Sequence, residues 1–147
     1  INETALAALG EHNFKYLSVG RGPEPAFPLL GDVTLTVPEI PTTLPTLDEI
    51  LAWDGATRDF ALSSLEALPG RDRLNVYTLH TEAEGRVFLP FFKELIAAWR
   101  GRGFKFVRLD ETAAALDHKA LPFRPYVQGQ LAGRAGNVAI ISEFKNV

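Results

Sequence analysis

The apolar positions change their spacing several times along the chain, and each change marks an element. Ala5, Leu6 and Leu9 share one face of a helix expected over residues 2–9, with Asn2 as its N-cap and Gly10 as its stop. The aromatic and β-branched run FKYLSVG (14–20) predicts a strand, and the proline- and glycine-rich RGPEPAFP after it predicts a loop. VTLTVPEIP (33–41) alternates as a strand does until its prolines end it. In PTLDEILAW, Thr46 followed three residues later by Glu49 is a capping-box signature for a helix start. Phe60, Leu62, Leu65 and Leu68 give RDFALSSLEALPG (58–70) near-helical spacing, stopped by Pro69 and Gly70. LNVYTLH (74–80) reads as a strand, and its lack of alternation predicts cover on both faces. The clearest amphipathic helix follows: Phe88, Phe91, Phe92, Leu95, Ile96 and Trp99 line one face, and Gly-Arg-Gly closes it. FKFVRL (104–109) predicts a further strand, DETAAALD (110–117) a short helix capped by Asp110, and the remainder one or two short edge strands. Strands alternating with helices predict an α/β fold with a parallel sheet or barrel at its core, so chemistry is expected at the carboxyl ends of strands.

Composition narrows the class more than the function. A chain of 147 residues, 46% hydrophobic and 22% charged, has the size and balance of one packed globular domain. A net charge of -3 gives no basic surface, so nucleic acid is not an expected partner. The absence of cysteine excludes disulfides, thiolate zinc sites and thiol nucleophiles. No apolar run approaches the roughly 20 residues that span a bilayer. The chain opens in mid-pattern and contains no methionine, which raises the expectation of a fragment whose upstream part is missing.

Candidate chemistry gathers in LNVYTLHTEAEG. His80 ends the expected strand, and if extension persists the period of two puts His80, Glu82 and Glu84 on one side. An imidazole beside two carboxylates suits general acid work. The alternative is a histidine satisfied by backbone, with two solvated glutamates. His12 and His118 lie beside helix ends, where imidazoles commonly favour the dipole. With three histidines and no HxxxH or HExxH, a closed metal site within the chain is not expected. No GxSxG elbow surrounds Ser63 or Ser64, and the GRG and AGRAG stretches lack phosphate-loop spacing. Gly133-Arg134 could set a guanidinium against a phosphate or carboxylate, with a surface turn as the alternative.

Five pieces then stand in a familiar order: Arg21-Gly22; Ile40-Pro41-x-Thr43-Leu44-Pro45-Thr46 with Asp48-Glu49; Val76-Tyr77-Thr78-x-His80-x-Glu82-x-Glu84-Gly85; Leu121-Pro122; and Gly129 to Arg134 with Gly136. Together they resemble the polysaccharide deacetylase superfamily, the NodB-homology carbohydrate esterases, and most of all the 4-deoxy-4-formamido-L-arabinose-phosphoundecaprenol deformylases. The resemblance implies the C-terminal part of a distorted (β/α) barrel, with parallel strands alternating with helices. It implies a hydrolase that removes an N-formyl or N-acetyl group from an amino sugar with a divalent metal such as zinc, manganese or cobalt. On this resemblance His80 protonates the leaving amine, Glu82 orients it or contacts the sugar, and Arg134 meets the phosphate of an undecaprenyl phosphate-linked substrate. Thr78 and Arg21 join the substrate-binding set. The family's early aspartate pair and HxxxH ligands have no counterpart, so the resemblance implies no metal ligand here and a chain inactive alone. Thr78 stands where many deacetylases have a leucine, Leu47 where an aromatic residue is expected, and the stretch after Gly136 departs from the family.

The partners implied are a lipid-linked amino sugar and the inner face of the bacterial cytoplasmic membrane, touched peripherally. Missing strands would expose sheet edges, so self-association is expected as well. The opposing expectation is a non-catalytic domain that binds sugar or lipid phosphate, or a deacetylase of other polysaccharides.

Overall fold

A computed structural model describes residues 1–142. In chain order its elements are α1 (Glu3–Glu11), β1 (Phe27–Leu30), β2 (Val33–Thr34), α2 (Leu47–Leu51), α3 (Arg58–Ala67), α4 (Thr81–Glu84), α5 (Leu89–Gly101), α6 (Leu109–Ala115), β3 (Phe123–Gly129) and β4 (Val138–Ile141). They fall into two compact units. The first comprises Ile1–Thr43, Val107–Gln130 and the chain from Gly136; the second comprises Leu44–Phe106 and Leu131–Ala135.

The first unit holds a four-stranded mixed sheet in the order β2-β1-β3-β4. The β1–β3 pair is parallel, with Phe27 opposite Phe123, while β1–β2 and β3–β4 are antiparallel. An α/β character is therefore present, but among the strands of this sheet only β1 and β3 pair in parallel, and other parallel pairing is limited to isolated bridges. Leu6, Leu17, Ala26, Leu35, Tyr126, Ala139 and Ile141 form the core of this unit. α1 starts as its sequence predicts, with the Asn2 side chain accepting the Ala5 N–H at 2.8 Å and Leu6 buried, but Gly10 does not stop it: the helix runs on to Glu11 and is capped at His12.

Several expected elements differ, for physical reasons. β1 forms inside the stretch read as loop, because Pro28 keeps its carbonyl, which accepts the Leu35 N–H at 3.1 Å. Segment 14–20 and the part of 33–41 that follows β2 make isolated bridges such as Leu17 to Glu39 where ladders were expected, since Pro38 and Pro41 interrupt the donors. Residues 74–80 and 104–108 carry strand composition without ladder pairing, which depends on a neighbouring strand more than on intrinsic preference. α6 is capped at Arg108, whose N–H meets Glu111 Oε2 at 3.1 Å, and Asp110 lies in the first turn. Of the expected edge strands, β3 is interior.

Glu39 ties the first unit together. It is fully buried, and its Oε1 accepts the Val19 and Gly20 N–H groups at 2.9 and 2.8 Å. Burial raises its pKa, while those two bonds and the neighbouring Tyr126 hydroxyl oppose the rise without cancelling it. A carboxyl with a raised folded pKa binds more protons when folded, so its contribution to stability declines as pH rises from the ordinary carboxylate range to that folded value. Glu39→Gln keeps an acceptor for both N–H groups and removes the charge. Urea unfolding from about pH 4.5 upward is expected to show a steeper loss of stability with pH in the wild type than in Glu39→Gln. Parallel profiles would mean that Glu39 titrates alike in both states.

The second unit is helical. Leu44, Leu47, Ile50, Ala61, Leu65, Phe91, Leu95 and Trp99 form its core, drawn from α2, α3 and α5 with the residue that leads into α2. Trp99 Nε1 donates to the Leu65 carbonyl at 2.9 Å, which locks α5 to α3. The Thr57 hydroxyl accepts the Phe60 N–H at 3.2 Å and starts α3. No helix among the described residues is long and apolar enough to cross a membrane.

Candidate functional site

The sequence motif around His80 folds within the second unit, and it folds as a turn of helix. Extension does not persist beyond His80: this residue is the N-cap of α4, with extended φ and ψ of -101° and 110°. Its carbonyl accepts the Ala83 and Glu84 N–H groups at 2.9 and 2.8 Å. The period of two is thereby replaced by helical spacing, which separates Glu82 from Glu84. Glu82 is exposed in the first turn of α4, whereas Glu84 is buried at 1% exposure.

The carboxylate beside the imidazole comes from α2. Asp48 Oδ1 lies 3.1 Å from His80 Nδ1, with the two side chains 58% and 38% exposed. That distance lets the ring pair with the carboxylate through Nδ1 when a hydrogen is carried there, which leaves Nε2 as the nitrogen not in contact with Asp48. Burial alone would raise the Asp48 pKa, but the Thr46 hydroxyl and then the charges of His80 and Arg134 outweigh it and hold the carboxyl below its usual range. Asp48 is thus ionised across the neutral range. The imidazole is partly exposed to solvent.

α2 is positioned by its own termini and by the core. Thr46 caps it, and Glu49 Oε2 accepts the Thr46 N–H at 3.0 Å as the sequence predicts. Leu47 and Ile50 anchor the helix in the core, leaving Asp48 outward. Glu49 is 2% exposed and also accepts from Arg134 Nη1 at 3.1 Å. The loop that carries Arg134 approaches α2 so closely that only glycine fits at 133. There φ is +79°, and a Cβ would lie 1.8 Å from the Glu49 carbonyl oxygen.

Behind the histidine, Tyr77 donates to Glu84 Oε1 at 2.8 Å, and Glu84 Oε2 accepts the His80 N–H at 3.0 Å. Burial, followed by the bond to Glu84, pushes the Tyr77 phenol above its usual range, so it remains a donor. Thr78 is exposed one turn of chain before His80. Arg21 lies in the first unit, where its N–H donates to the Ala139 carbonyl at 2.9 Å and its carbonyl accepts from Ile141 at 2.7 Å.

Asp48 and Tyr77 are the site residues that sequence reasoning left without roles, and Glu84, expected beside the imidazole, instead meets the His80 backbone and the Tyr77 hydroxyl. Glu84 carried a legible signal, four residues after His80 and followed by glycine, had the stretch been read as helix. Asp48 carried none that spacing alone could supply, since the pair joins segments far apart in the chain. Among the described residues no three His, Asp or Glu side chains converge as a metal cradle. The described residues alone therefore do not make up a site for the divalent metal implied by the resemblance.

No family model matches the chain. Over 125 residues it is 35% identical to the probable 4-deoxy-4-formamido-L-arabinose-phosphoundecaprenol deformylase ArnD of Shewanella sediminis (strain HAW-EB3), which covers 84% of this chain and 39% of that protein. Over 133 residues it is 30% identical to the protein of the same name from Wigglesworthia glossinidia brevipalpis, covering 84% of this chain and 46% of that protein. The chain spans less than half the length of each of these relatives. Over most of its own length, then, it is homologous to proteins named as this deformylase.

Proposed function

We propose that this chain supplies the proton-donating part of a hydrolase that removes the formyl group from a lipid-linked 4-formamido-4-deoxyarabinose. The observation that carries the reading is the partly exposed His80 imidazole backed by Asp48 at 3.1 Å, in a chain homologous to deformylases. Hydrolysis forms a C–O bond from water and breaks the C–N bond, and the nitrogen departs as an amine only when it receives a proton. His80 delivers that proton from Nε2 and is recharged by solvent. Asp48 orients the ring and balances its positive charge. The products are formate and the free amino sugar.

Thr78 and Glu82, exposed on either side of His80 along the chain, are assigned to contact with the sugar. A guanidinium has five N–H donors and Glu49 takes one from Arg134, so Arg134 is assigned to the phosphate that links sugar to lipid. Because the chain spans 39% and 46% of its relatives, the activity is assigned to a polypeptide of their length, with these residues as the C-terminal part of a (β/α) barrel. Contact with the inner face of the cytoplasmic membrane follows from a lipid-linked substrate.

The test is an assay of such a polypeptide with lipid-linked formamido sugar and with an N-acetylated glycan. Formate release from the first is the expected result. Acetate release alone would make it a deacetylase of other polysaccharides, and binding without release of either acid would make it a non-catalytic domain.

A further inference from the structure

His80 occupies a position where its side chain has two competing uses. A residue at an N-cap ordinarily turns its own side chain onto the first helical N–H groups. An imidazole can do so only by accepting through an unprotonated nitrogen, and Nδ1 is the nearer one. That use excludes donation from Nδ1 to Asp48. In this structure the His80 side chain makes no capping bond to α4.

The turn is held by Glu84 instead. Its N–H donates to the His80 carbonyl at 2.8 Å, and its Oε2 accepts the His80 N–H at 3.0 Å, so one residue grips both backbone groups of another. This is the return half of a capping box, made from one residue farther along than usual. The grip is fixed in the core: Glu84 Oε1 accepts from Tyr77 at 2.8 Å, and the Tyr77 ring packs edge-on against Trp99 with centroids 5.6 Å apart. A carboxylate at 1% exposure is costly unless its oxygens are satisfied, and both are satisfied here by groups that locate His80.

We propose that Glu84 is a positioning residue: by holding the His80 backbone from within the core, it releases the imidazole from capping and fixes it in the orientation that donates from Nδ1 to Asp48. This rests on the reading of His80 as proton donor only for its importance; the geometry itself can be tested without turnover. Glu84 does not touch substrate and acts through His80.

The measurement is the tautomer of His80 in the 15N-labelled chain, read from long-range imidazole proton–nitrogen correlations, with His12 and His118 as internal references. Wild type is expected to show the Nδ1–H pattern, and Asp48→Asn defines the pattern when that contact is lost. Glu84→Met, of similar volume but without an acceptor, is expected to lose the Nδ1–H pattern while the two reference histidines stay unchanged. Glu84→Gln is expected to keep it, because its amide can accept from His80 and donate to the Tyr77 oxygen. An unchanged His80 pattern in a folded Glu84→Met overturns the proposal. If that variant does not fold, Tyr77→Phe decides: a His80 divided between two tautomers supports the proposal, and the wild-type pattern overturns it. Loss of the pattern in Glu84→Met together with no formate release from the longer polypeptide would sink the functional reading alone. The reverse result would sink the positioning role alone.

Discussion

Replacing His80 with glutamine is expected to lower formate release by a factor of about 10²–10⁴ while substrate affinity stays within about threefold. The size follows from what the group does. A deprotonated amine is a poor leaving group, so without a positioned acid the tetrahedral intermediate returns to formamide more often than it breaks. Glutamine preserves the bulk at the N-cap and can still reach Asp48 with its amide, but it has no proton to give. The grip of Glu84 on the backbone of residue 80 is untouched by the change. Steady-state kinetics on a polypeptide of the relatives' length separates the two parameters. A fall in turnover smaller than about threefold would show that the proton comes from elsewhere.

Phe91→Ala is expected to cost about 3–5 kcal/mol, against a total domain stability of about 5–15 kcal/mol. Phe91 is 1% exposed and belongs to the cluster of Leu47, Ile50, Ala61, Leu65, Leu95 and Trp99. Losing the ring removes burial from three helices and leaves a hole that backbone around α5 can close only in part. α2 rests on the same cluster through Leu47 and Ile50, so the variant should also loosen Asp48. Both tryptophans, Trp53 and Trp99, lie in the second unit, and their fluorescence during urea unfolding reports it directly. A loss under about 1 kcal/mol would mean that the neighbours collapse into the space.

The helices were legible where a cap and an apolar stripe agreed. Asn2, Thr46 and the Phe91–Leu95–Trp99 face appear in the structure as their spacing predicts. The strands were less so, because an extended run becomes a strand only when another supplies its hydrogen bonds. LNVYTLH has the composition and lacks the ladder, while FPLL was hidden by its proline and acquires partners on both sides. At the site, His80 could be chosen from chemistry, and the resemblance named the same residue. Its partner could not, since a period of two pointed to Glu82 and Glu84 when the chain in fact coils after His80. Four residues of helix changed which carboxylate meets the backbone and let Asp48 meet the ring.

The pair that Arg134 makes with Glu49 of α2 carries a kinetic consequence. Glu49 reaches Thr46 three residues away but Arg134 only across a separation of 85. Closing the longer loop costs roughly 3 kcal/mol more chain entropy than the short one, by the logarithmic dependence on length. The carboxylate is therefore committed to its helix cap early, and the guanidinium is the last arrival. A nascent chain halted before residue 134 would lack the guanidinium that reaches Glu49 in the folded chain.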